Sequence, residues 1–184
     1  HIQKSLETMN ASNTLKQLLS TAAIVLFAIP TLQADPAISN FQAANAQNMA
    51  HIRKVRTTAY THTEADHIKY AKSTASGTEL RAEVSYTSAA SDWSVFPVGT
   101  IFRIRGLDRI FVIDDYGSAL VGTETIDLYH PNTKGMNIWG VQHVDIEILE
   151  YGSLEESLDI LSGRVKYAHC KQMHDAIQKR LANR

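Results

Sequence analysis

The chain has 184 residues, 44% of them hydrophobic and 20% charged, which is enough for one ordinary core. A formal net charge of −1 excludes a broad basic field that would hold nucleic acid through its phosphates. The single cysteine, Cys170, excludes an internal disulfide, and no CxxC or Cys/His spacing offers a zinc ligand set.

In chain order, Lys16 comes just ahead of an apolar stretch over residues 18–29. The stretch has the length of a signal-peptide core and is short for a bilayer span. Pro30 ends it, Leu32-Gln33-Ala34 offers a cleavage site before Asp35, and Ala44-Asn45-Ala46 offers a second. Met9 reads as the natural start, with residues 1–8 upstream of it. The competing reading is a buried helix of the mature fold. No cysteine follows the stretch, so no lipoprotein anchor is expected. Export to a periplasm, a cell envelope or the exterior is expected, with no membrane span left after signal removal. The expected domains are 1–34 (upstream residues and signal peptide), 35–54 (a linker or loose helix rich in Ala, Asn and Gln), 55–151 (a barrel) and 152–184 (a helical tail).

From Val55 the texture changes. VRTTAYT is β-branched and aromatic and predicts a strand. Residues 62–80 are polar, with Gly77 as punctuation, and read as a long loop. Residues 81–88 alternate and predict a second strand. The Pro97-Val98-Gly99-Thr100 turn leads into 101–105, where Phe102 and Ile104 oppose Ile101, Arg103 and Arg105. Arg109 precedes the unbroken run Ile110-Phe111-Val112-Ile113, typical of a strand buried on both faces. Residues 125–129 predict another strand, and 133–139 one or two helical turns stopped by Gly140. Residues 143–148 alternate, with Val144, Ile146 and Ile148 inward. Five or six short strands argue for a closed, mainly β barrel without exposed edges. From Ser153 the period turns helical through Leu154, Leu158, Leu161 and Val165, then Met173, Ile177 and Leu181. Lys and Arg gather near the end, as a helix C-terminus favours.

Three aspartates lie beside turn chemistry and apolar runs within the barrel segment: Asp92 in SDWSVFPVGT, Asp115 in DDYGSAL and Asp127 in TIDLYH. Gathered at a barrel mouth, they would do acid chemistry on an uncharged polymer, best a sugar polymer. Cleaving a glycosidic bond needs a carboxylic acid still protonated near neutral pH. Apolar neighbours and nearby carboxylates both supply that property. An aspartate beside a turn also serves as a turn cap, above all Asp92, and Asp114 reads as a cap or an exposed neighbour. Tyr60, Tyr116, Tyr129 and Trp139 are candidates for stacking on sugar rings, with core packing as the alternative. His62, His67, His130 and His143 match no metal motif, so no metal or other cofactor is expected. Asp115-Tyr116-Gly117 has a faint likeness to an aspartic protease motif, but those enzymes need two copies and this chain offers one.

The ordered motifs TAYT, DWSVFPVGT, VIDDYGSALVG, IDLY and WGVQHVDIEIL resemble the three-aspartate (3D) domain family over residues 55–149. The resemblance implies a six-stranded double-psi β-barrel. The family includes the catalytic barrel of membrane-bound lytic transglycosylases and small wall-active proteins of the stationary-phase survival and resuscitation type. It implies an exported enzyme acting as a monomer on peptidoglycan glycan strands, cleaving the MurNAc–GlcNAc bond to 1,6-anhydromuramic products. Carried onto this chain, Asp127 is the acid/base, Asp115 positions or tunes it, and Asp92 supports both. Tyr60, Tyr116, Gly117 and Tyr129 would line the substrate groove. Tyr116 stands where the family usually has threonine, Ser118 replaces a glycine, and the Asp115–Asp127 spacing is one residue longer than usual. The alternative from another class is a noncatalytic polysaccharide-binding or wall-loosening barrel of the expansin kind.

Overall fold

A computed structural model describes residue 40, residues 51–64 and residues 68–183. The predicted signal peptide, and the linker as far as residue 50 apart from residue 40, lie outside these residues.

The described residues form a mainly β structure with three helices. β1 (Ile52–Tyr60) starts three residues before the expected Val55 and buries Val55 and Thr57 on one side. A single 3-10 turn, Ile68–Tyr70, interrupts the following loop. Residues 81–88, expected as one strand, instead split into a tight hairpin of β2 (Ala82–Glu83) and β3 (Tyr86–Ala90). The Thr87 hydroxyl donates to the Glu83 carbonyl across it at 2.7 Å, which closes the turn at Val84-Ser85. An alternating pattern does not reveal a reversal this short, because both arms keep the period of two.

β4 (Ile101–Ile104) and β5 (Ile110–Asp115) follow, and every residue of β5 after Ile110 is buried, as the apolar run predicts. Then come β6 (Ile126–Tyr129), α1 (Thr133–Trp139) and β7 (Gln142–Glu150). The Asn132 side chain accepts from the Gly135 N–H to start α1, and Gly140 at φ 61° ends it. All seven strands join one mixed sheet in the order β2-β3-β5-β4-β7-β1-β6, with β3 also paired to β6. The pairings therefore run in a closed circuit from β3 back to β3, and β2 hangs outside it. β1–β6 and β3–β5 are parallel, and the other pairings are antiparallel.

One core fills the circuit. Phe102, Ile104, Phe111, Ile113, Ile126, Leu128, Ile146 and Ile148 meet Trp93 and Phe96 from the loop after β3. α2 (Leu154–Ser162) and α3 (Ala168–Ala182) pack onto it rather than extending away, placing Leu154, Leu161, Cys170, Met173 and Ile177 in the same cluster. Leu154 and Leu161 are seven residues apart on α2, and Cys170, Met173 and Ile177 are spaced by three and four on α3, so each helix presents one apolar stripe. Ser153 caps α2 by accepting from the Glu156 N–H at 3.0 Å. The Met173 sulfur accepts from the Trp93 N–H at 3.4 Å, and Arg180 donates to the Ser94 carbonyl, so α3 is fastened to the loop that follows β3. Met173→Ala is expected to cost about 2–4 kcal/mol, read as a lower urea midpoint with an unchanged slope.

Candidate active site

The site is built around Ala90, the last residue of β3. Ala90 pairs with Asp127 on β6 and with Asp115 on β5. Strands lie about 4.8 Å apart, so the two aspartates flank Ala90 with α-carbons on the order of 10 Å from each other. The placement depends on a register shift: Ala89 opposes Ile113 but Ala90 opposes Asp115, which leaves Asp114 as an extra residue in β5. Such a bulge breaks the alternation and re-aims the side chains at it. The Asp114 carboxyl consequently reaches side chains of β3, while the Asp115 carboxyl reaches β1. Asp114 bonds to Tyr86 and Ser88, Asp115 reaches Tyr60, and Asp114, Asp115 and Asp127 all act electrostatically on Tyr60.

Each carboxyl sits differently. Asp127 is half-buried, and its Oδ1 accepts from the Thr58 hydroxyl, its register neighbour on β1, at 2.7 Å. Asp115 is only 7% exposed. Its Oδ1 accepts from the Ala75 and Tyr116 N–H groups at 3.0 and 2.9 Å, and its Oδ2 faces the Tyr60 hydroxyl at 3.5 Å. Burial pushes the Asp115 carboxyl up to about 7, outweighing the two backbone donors, and the Asp114 charge adds to the rise. Asp114 is 3% exposed, and its Oδ2 accepts from Ser88 Oγ at 2.7 Å and Tyr86 OH at 3.1 Å. Burial pushes it up to about 6, against the lowering by those two donors. Its Oδ1 is buried without a hydrogen-bond partner among the described residues. Burial, then Asp115, raises the Tyr60 phenol far above its ordinary value, so it stays a donor.

The other sequence candidates support this cluster from its edges. Asp92 lies two residues past Ala90 but commits both oxygens locally: Oδ1 to the Ser94 N–H and hydroxyl at 2.8 and 2.7 Å, Oδ2 to the Gly122 N–H at 2.7 Å. It ties the turn after β3 to the loop between β5 and β6, the capping alternative read from its sequence context. Tyr116 sets its ring edge-on to Trp93 at 5.1 Å and accepts from Arg164 and Cys170 at 3.3 and 3.2 Å. Tyr116 thus places a ring that ties the sheet to Arg164 and to α3. Tyr60 and Tyr129 are buried with their rings 5.6 Å apart, and the Tyr129 hydroxyl bonds His62 Nδ1 at 2.8 Å. A β-carbon at Gly117 would meet Leu120 at 3.2 Å, and Leu120 packs with Tyr60, Ala90 and Tyr129. Gly117→Ala is therefore expected to displace Leu120 and cost about 1 kcal/mol, seen as a modest loss of melting temperature.

The structure thus brings Tyr60, Asp115, Asp127 and Tyr129 together and adds Thr58, Tyr86, Ser88 and Asp114, which sequence reasoning missed. Asp114, expected as a cap or an exposed neighbour, is instead buried. The signal for it was the run before it, since a strand buried on both faces extends that burial to its next residue.

A mixed-sheet β protein with a bulge-built carboxyl cluster is the class these features define. Residues 87–150, which hold Asp114, Asp115 and Asp127, match the family described as the 3D domain, so the family resemblance read from the sequence is borne out over that segment. No curated protein matches the chain. Among solved structures, the chain is similar to one titled "Crystal structure of MltA from E. coli", at 24% identity, covering 44% of this chain and 28% of that one, with a TM-score of 0.33. The chain spans 28% of that protein's length, and so slight a likeness carries no argument about activity.

Proposed function

We propose that this is an exported peptidoglycan-cleaving enzyme of the lytic transglycosylase type, built on a six-stranded double-psi β-barrel, that breaks the MurNAc–GlcNAc bond. The observation that carries the reading is a half-buried Asp127 paired across Ala90 with the buried Asp115, whose carboxyl keeps its proton to about pH 7. Of the four aspartates around the end of β3, Asp127 is the one that solvent and substrate reach, while Asp92, Asp114 and Asp115 are all buried. Asp127 is therefore the acid/base, and Thr58 fixes its carboxyl.

In the first half of the reaction the Asp127 carboxyl gives its proton to the glycosidic oxygen as the bond to C1 breaks and oxocarbenium character builds. In the second half the carboxylate takes the proton of the same muramic acid's C6 hydroxyl, whose oxygen bonds to C1. The products are a strand ending in 1,6-anhydromuramic acid and a strand with a free hydroxyl. No water is consumed, and Asp127 returns to its protonated form.

Export belongs to the same proposal; among the described residues no helix is long and apolar enough to cross a membrane. Digestion of purified sacculi followed by mass analysis of soluble fragments tests the reading. Anhydromuropeptides are the expected product. Fragments heavier by one water would make it a hydrolase, and sacculus binding without soluble fragments would make it a noncatalytic wall-binding barrel.

A further inference from the structure

At the opposite end of β3 from Ala90 lies a cavity of about 220 Å3. Phe111 and Leu128, both buried, make apolar walls, and Leu107 and Trp139 are more open. Thr87, Arg109 and His130 supply its polar groups. Arg109 is held firmly: its Nη1 donates to the Ala82 carbonyl at 3.0 Å, the Glu83 carbonyl at 3.3 Å and the Thr87 hydroxyl at 2.7 Å. All three bonds use one nitrogen. Its Nε and Nη2 donate to nothing among the described residues, and no carboxylate there lies within ion-pair distance of it. Burial and the Arg109 charge both lower the pKa of His130, so Arg109 is the cation of this cavity at neutral pH.

A fixed guanidinium with spare donors, half-buried beside apolar walls and facing no acid, is the chemistry that receives a carboxylate on a small apolar body. Ligand clefts for whole drug-sized molecules run from about 300 Å3 upward, so this cavity suits one or two residues of a peptide rather than a sugar chain. Its location narrows the ligand further. His130 lies one residue past the end of β6 and three after Asp127, a rise of about 10 Å, and by strand alternation it faces the other side of the sheet. A peptide arm of a few residues on a sugar seated at Asp127 reaches it by passing the end of β6.

We infer that this cavity is a subsite for the acidic peptide stem carried by muramic acid, with Arg109 taking a stem carboxylate and Trp139 and Leu107 flanking the apolar part. The inference rests on the glycan-strand reading of Asp127, and it makes the protein selective for peptide-bearing strands.

The test uses N-acetylmuramyl-L-alanyl-D-glutamate and its diamide as probes, followed by amide and indole NMR shifts of the full chain at pH 7. The diacid is expected to bind about tenfold more tightly than the diamide or better. The shifts should centre on Thr87, Arg109, His130 and Trp139. Leu107 is 41% exposed at the cavity, so Leu107→Glu and Leu107→Lys change its charge while leaving the Arg109 bonds in place. The first should weaken the diacid and the second tighten it. Equal affinity for diacid and diamide, shifts elsewhere, or the same change in both variants overturns the subsite. Cleavage separates the two readings. If stem-free and stem-bearing strands are cut equally, the subsite fails and the enzyme stands; if nothing is cut while the acid preference holds, the enzyme fails and the carboxylate site stands.

Discussion

Asp127→Asn is expected to abolish release of soluble fragments from sacculi, a loss on the order of 100- to 10,000-fold or more, because both proton transfers pass through one carboxyl. The substitution keeps the shape of the side chain and an oxygen for the Thr58 hydroxyl, which now stands at 2.7 Å from Asp127 Oδ1. Melting temperature and circular dichroism should therefore stay at wild-type values while the fragments vanish. Sacculus binding should persist, since the change touches a half-buried position and not the aromatic and apolar residues around it. A variant that still solubilises glycan at a tenth of the wild-type rate or more would take the acid/base role away from Asp127.

The strands that carry Asp115 and Asp127 were legible because their apolar runs have only one reading. Ile110-Phe111-Val112-Ile113 has no polar face to present, and Ile126 and Leu128 flank Asp127 at the period of a strand. The apolar stripes of α2 and α3 were equally plain, though whether they packed on the sheet was not. Contacts such as the Trp93 N–H to Met173 sulfur join residues far apart in the chain and leave no local trace. The β2–β3 hairpin escaped because a reversal between two short alternating arms preserves the pattern. The bulge escaped for a related reason: a one-residue register shift is a property of the pairing between β3 and β5, not of either strand alone. That shift is what adds Asp114 to the site. The division of labour between Asp92 and Asp114 could not be read without it, because in sequence each is an acid beside a turn.

The second large effect is on stability against pH. Asp114 and Asp115 ionise near 3.8 when free, and in the fold at about 6 and about 7. Between pH 4 and pH 7 the folded chain holds protons there that the unfolded chain has released. Unfolding then releases protons, so stability falls as pH rises. The contribution is fully present below pH 4 and is gone above pH 7. Each tenfold gain in proton affinity on folding is worth about 1.4 kcal/mol, so the two carboxyls together contribute several kcal/mol. His130 opposes this weakly, since its lowered pKa favours the fold as pH rises through its own range. The urea midpoint is expected to be higher at pH 5 than at pH 8.5. In Asp115→Asn the difference should shrink by roughly half, and the variant should be the more stable protein at pH 8.5. The amide oxygen can still accept from the Ala75 and Tyr116 N–H groups, so its local geometry is kept. A flat profile, or a midpoint that climbs with pH, would mean that these carboxyls ionise freely in the fold.

Burial of Asp115 beside Ala90 lets this pocket store a proton at neutral pH next to the acid/base Asp127. Carbon-13 NMR titration of the side-chain carboxyls, with Asp115 assigned through Asp115→Asn, measures that directly. A midpoint near 7 for Asp115 is the predicted result; one near 4, the value of an aspartate in open water, would contradict it.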